Sequence, residues 1–153
     1  MIAAAFALAL LALLARELWL GYPPARFVAA ALSKKEQAVL AATAEAFFPR
    51  GGALPSAEQA GVVPYVDRMM HDMPRRQRIL LRLLFVLVEH GSLLFGPVHR
   101  RMTRQSVADR IATLRAWELS SLYFRRLSFL SLRTLMTLAY FGDAAVRQAV
   151  TAA

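Results

Sequence analysis

The run Trp117–Asp143, WELSSLYFRRLSFLSLRTLMTLAYFGD, decides how the rest of the chain is read. It describes the end of one helix followed by a second, longer one. In the longer helix Leu127, Leu130, Leu132, Leu135, Met136, Leu138 and Tyr140 cover more than half of the circumference. The polar stripe left over is narrow: Arg126, Arg133 and Thr137, spaced i, i+7, i+11. A helix apolar on most of its sides must be packed on at least two of them. A chain of 153 residues supplies only part of that cover. The rest points to a partner protein or a bilayer.

Composition agrees. Hydrophobic residues make up 58% of the chain, above the range usual for soluble domains. The net charge is +9, and 17 of the 19 basic residues are arginine, which suits bidentate pairing and interface stacking better than lysine. An anionic membrane surface or nucleic acid would also suit such a balance. The arginines are spread over several helices, though, and form no single reading face, which argues against nucleic acid. Arg100, Arg101 and Arg104 make the one dense basic patch, read as solvated surface with phosphate or headgroup contact as the alternative. With no cysteine, the chain has no disulfide framework, iron–sulfur cluster or thiol chemistry.

Working back toward the N-terminus, Arg75–His90 is predicted as a nearly all-round apolar helix, with Arg75, Arg78, Arg82 and Glu89 on one stripe. It is expected to be a central core helix, followed by a connector over Gly91–Arg104. Ser33-Lys34-Lys35-Glu36 reads as a capping box, S-x-x-Q recurs at Ser56–Gln59, and a third cap opens at Ser106. Gly61 and Pro64 are expected to divide the following stretch into two short helices. No strand-period alternation and no repeat interrupts this pattern, so the fold class is all-α: a compact multi-helix domain over residues 32–153. A hydrophobic helix and Pro linker precede it over residues 1–31. Ile2–Ala15 is an unbroken apolar run of about 21 Å, short of a hydrocarbon core of about 30 Å, and continuing to Leu20 brings it near spanning length. It is read as an uncleaved membrane anchor over residues 2–20. A cleaved signal peptide and an ordinary helix packed on a partner are the alternatives.

A search for chemistry finds little. His71, His90 and His99 lack the spacing of metal ligands, and there is no nucleophile elbow or dinucleotide fingerprint. The Arg50-Gly51-Gly52 loop lacks the leading strand and following Lys of a phosphate cradle. No catalytic, cofactor-binding or metal-binding residue is expected. Glu118 falls on the apolar face of Ile111 and Leu114, so it is expected to need a partner among Arg115, Arg125 and Arg126.

The order Leu32-Ser33-Lys34-Lys35-Glu36, Phe48-Pro49-Arg50-Gly51-Gly52, Pro55-Ser56-Ala57 with Ala60-Gly61-Val62, Trp117-Glu118-Leu119-Ser120 and Leu138-Ala139-Tyr140-Phe141-Gly142-Asp143 with Val146 resembles the gluconate 2-dehydrogenase subunit 3 family over roughly residues 32–148. The resemblance implies a small, helical, non-catalytic accessory subunit. Its partner would be a large flavoprotein of the glucose–methanol–choline type that oxidises sugars or other alcohols, with FAD bound there and not in this chain. A cytochrome subunit belongs to some such systems. The N-terminal run departs from the twin-arginine signal of exported members and favours membrane association, with the domain on the cytoplasmic face and the periplasmic face as the alternative. Trp117, Tyr123, Phe124, Arg125, Tyr140 and Phe141 are the expected interface anchors, aromatic and arginine side chains being favoured at such positions. A stand-alone basic amphipathic protein on a membrane surface is the competing function.

Overall fold

A computed structural model of the protein describes residues 21–152 together with Leu8, Leu11 and Ala12. Among these residues the elements are helical: α1 (Lys34–Phe47), α2 (Val62–Asp72), α3 (Arg75–Phe95), a 3-10 turn at Met102–Arg104, α4 (Val107–Glu118), α5 (Tyr123–Phe141) and α6 (Ala144–Ala152). The all-α expectation holds. The hydrophobic helix expected over residues 2–20 lies almost wholly outside the described residues. None of the described helices is long and apolar enough to cross a membrane.

The element at the centre is α1. It touches α2, α3, the 3-10 turn, α4 and α5. Gln37, Ala38, Val39, Leu40, Ala42, Thr43, Ala44 and Ala46 are all buried. Alanines let neighbours approach closely from several sides. The Ser33 capping box forms as expected: the Ser33 hydroxyl accepts from the Glu36 N–H, and the Glu36 carboxylate accepts from the Ser33 N–H.

Two helix boundaries differ from the sequence reading. The Ser56–Gln59 pair closes only a single turn, and one helix, α2, follows it. Gly61 caps α2 in the left-handed conformation at φ 61°, which favours glycine, and Pro64 sits in the first turn. Further on, α3 runs 21 residues, straight through Gly91. Glycine breaks nothing here, because the missing side chain makes room for a neighbour. A Cβ on Gly91 would stand 2.9 Å from the Trp117 ring.

Asp67 fastens the segment before α1. Its carboxylate accepts from the backbone N–H groups of Ala30, Ala31 and Leu32, each at 2.9 Å. Burial raises the Asp67 pKa, but these three bonds and the nearby His71 outweigh it and hold the carboxyl below its ordinary value. A depressed carboxylate contributes stability that is present above its unfolded pKa, about 3.9, and is lost as pH falls through the lower folded value. Asp67→Asn is therefore expected to cost about 1.5–3 kcal/mol at pH 7, and the gap to the wild type should close below about pH 4. Urea midpoints at pH 7 and pH 3 check this.

The arginines turn inward on the backbone. Arg78 donates to the carbonyls of His71 and Met73 at the end of α2, and Arg125 to that of Phe95 at the end of α3. Arg126 donates to Ser120 and Ser121 just past α4, and Arg147 to Phe141 and Gly142 at the end of α5. Each comes from the first turn of a helix and caps the C-terminus of another. There it satisfies orphan carbonyls and meets the negative end of the dipole.

Candidate partner interface

On α3 the stripe that faces solvent is the greasy one. Ile79, Leu83 and Val86, at i, i+4, i+7, lie on one face with Leu80 and Leu94, and all five are exposed, Leu80 at 66% and Leu94 at 73%. Only Phe85, Val88, Glu89, Gly91 and Ser92 of this helix are buried, all in its C-terminal half. The expectation of a central core helix is corrected. Of the polar stripe read from the sequence, Arg75 is exposed, while Arg78, Arg82 and Glu89 bond to the rest of the protein. Arg78 caps α2, and Arg82 donates to the Ala31 carbonyl and pairs with Glu36. Glu89 is fully buried, accepting from the Thr103 N–H and hydroxyl with the buried Arg101 guanidinium 3.7 Å away. With these polar groups turned inward, the leucines are left outside.

The same holds for α5. Ser128, Phe129, Leu132, Leu135, Met136, Ala139 and Tyr140 pack inward. Tyr123, Phe124, Leu127, Leu130, Leu138 and Phe141 are exposed, Tyr123 at 69%. The two helices meet end to end. The Phe95 and Phe124 rings are edge-on at 5.8 Å, and the Arg125 guanidinium lies 5.7 Å from the Phe95 ring while bonding the Phe95 carbonyl. Burial also lowers the pKa of His90, midway along the outer stripe of α3, so its imidazole adds no charge there at neutral pH.

Three of the six expected anchors, Tyr123, Phe124 and Phe141, stand on this surface, and Arg125 is half-buried at the junction. Trp117 and Tyr140 are corrected: at 0% and 1% exposure they have no area left for a partner. Trp117 fills the space against Gly91, and Tyr140 stacks on Phe48 at 3.8 Å while its hydroxyl donates to the Pro55 carbonyl. Glu118 is corrected too. It lies at the edge of the buried face of α4, where it is exposed and stands 3.8 Å from Arg133. Sequence reasoning missed the stripe of Ile79, Leu80, Leu83, Val86 and Leu94. Ile79 and Val86 sit one turn from Arg75 and Arg82, so the sequence pattern did not separate the outward apolar face from the inward one. No group of three or more His, Asp or Glu that could hold a metal ion occurs among the described residues.

The model of the gluconate 2-dehydrogenase subunit 3 family matches residues 34–151, nearly the whole described domain. No curated protein and no solved structure matches the chain.

Proposed function

The chain belongs to the gluconate 2-dehydrogenase subunit 3 family, and from this premise we propose that it is the non-catalytic small subunit that docks on and stabilises a large FAD-dependent alcohol or sugar dehydrogenase. Residues 2–20 would tether the assembly to the membrane, with the domain on the cytoplasmic face. One observation carries the docking: the outward stripes of α3 and α5 put eleven large hydrophobic side chains in water on two rigid helices. Fully burying a leucine-sized side chain is worth about 1.5–3 kcal/mol, so a partner has much to gain by covering them. Aromatic anchors at the Phe95–Phe124 junction match the residue types on which binding energy concentrates.

The test is co-expression with the dehydrogenase subunit. The wild-type chain is expected to co-purify with it. Leu83→Asp combined with Leu127→Asp should weaken association at least about 100-fold, since each position is placed to be a hot spot. Both side chains are exposed, so each change should leave the unpartnered fold within about 0.5 kcal/mol. Helicity by circular dichroism and retention on a tagged partner are the two readouts. Undiminished retention of the double variant would refute the docking. Retention on anionic vesicles instead of the dehydrogenase would favour a stand-alone membrane-surface protein.

A further inference from the structure

α1, the start of α2 and the segment before α1 line a cavity of about 410 Å³. Its floor is the face of α1 carrying Ala38, Ala41 and Ala42, and its walls include Phe27, Phe48 and Val63. Interiors are close-packed, so an apolar space of this size in a small domain is there to be filled. Three alanines at these positions keep it open where leucines would close it.

Gln37 also lines the cavity. It is only 6% exposed. The mouth is ionic. Arg26 and Arg50, both more than half exposed, converge on the single carboxylate of Glu58, and Arg110 donates to Glu45 at 2.8 Å. Three guanidiniums face two carboxylates. Arg26 and Arg50 each place one nitrogen on Glu58, leaving further donors for an incoming carboxylate.

We infer that this cavity receives an aromatic anchor, flanked by acidic residues, from a segment of the dehydrogenase subunit. This rests on the docking reading above. The ring fills the apolar space, and the acidic flanks meet the arginine mouth, as the charge of a chain at +9 favours.

The experiment uses the full chain co-expressed with the dehydrogenase subunit. The photo-cross-linker benzoylphenylalanine is placed at the cavity in one version, replacing Phe27, and on the outer stripe in another, replacing Leu83. Cross-links from both are expected. The one from position 27 should map to an aromatic residue with Asp or Glu within a few residues. Changing that residue to Ala should weaken the complex at least about 10-fold with the wild-type chain and much less with Ala41→Leu, which closes the space. A cross-link from position 83 but not 27 overturns the cavity assignment and leaves the docking intact. So does a cross-link from position 27 to lipid, or to a segment lacking such an anchor. Silence at both positions overturns both.

Discussion

Replacing Trp117 with alanine is expected to cost about 3–5 kcal/mol of folding free energy, the range for truncating a large core aromatic. The side chain is fully buried, and its ring lies against the glycine-bared backbone of α3, joining α4 to that helix. Neither element can close the gap, because Gly91 has no side chain to move into it. At about 2–4 °C per kcal/mol for a chain of this size, the thermal midpoint should fall by about 6–20 °C. The indole N–H has no hydrogen-bond partner, so Trp117→Phe discards an unpaired donor along with part of the ring and should cost less than Trp117→Ala. Gly91→Ala tests the same contact from the other side. Its Cβ would press on two ring atoms at 2.9 and 3.0 Å, and overpacking of this kind costs about 1–3 kcal/mol. Combined with Trp117→Phe, the penalty should be non-additive, which a double-mutant cycle on thermal midpoints reads directly.

Glu89→Ala is expected to be of similar size, about 3–5 kcal/mol. The carboxylate is buried within α3 and holds the 3-10 turn through Thr103, with Arg101, itself 2% exposed, at its side. Arg101 also lies 4.7 Å from the Tyr22 ring, so the cluster ties the segment before α1 to α3. Burial first, then the Glu89 carboxylate, raise the Tyr22 pKa, while Arg101 opposes them. Removing the carboxylate takes the acceptor from the Thr103 N–H and hydroxyl and a counter-charge from beside Arg101. Glu89→Gln keeps an acceptor for Thr103 and should lose only about 1.5–3 kcal/mol. Urea midpoints of the two variants separate charge from hydrogen bonding. Equal losses would show that the retained acceptor contributes nothing and that the charge carries the whole effect.

The helices were legible because their caps and apolar spacing are local. The Ser33 box, the Ser106 cap and the all-α class needed only neighbouring residues. Which helix is central was not legible. The alanine-rich α1 has little amphipathic contrast, and its burial comes from close approach by five other elements. The leucine-rich α3 reads as core by composition, yet its polar residues take the inward face because distant carbonyls and Thr103 need them there. The arginine excess misled in the same way: what a sequence shows as net charge the fold uses at helix ends. The residues that carried the family resemblance turn out to pack together. Phe48 stacks on Tyr140, Tyr140 bonds Pro55, and Gly142 leaves room for Tyr65. They hold the scaffold together, so they identify a family more readily than they locate its interface. Of the surface itself, the α5 aromatics were found by residue type, and the α3 stripe required knowing which way the helix is turned.

The outward leucines of α3 have a consequence for the life of the molecule before assembly. Chaperones and degradative proteases find damaged polypeptides by their displayed oily segments, and a folded but solitary copy carries the same flag. Its survival then depends on how soon another chain conceals that flag, which would couple the abundance of the two without any dedicated regulator.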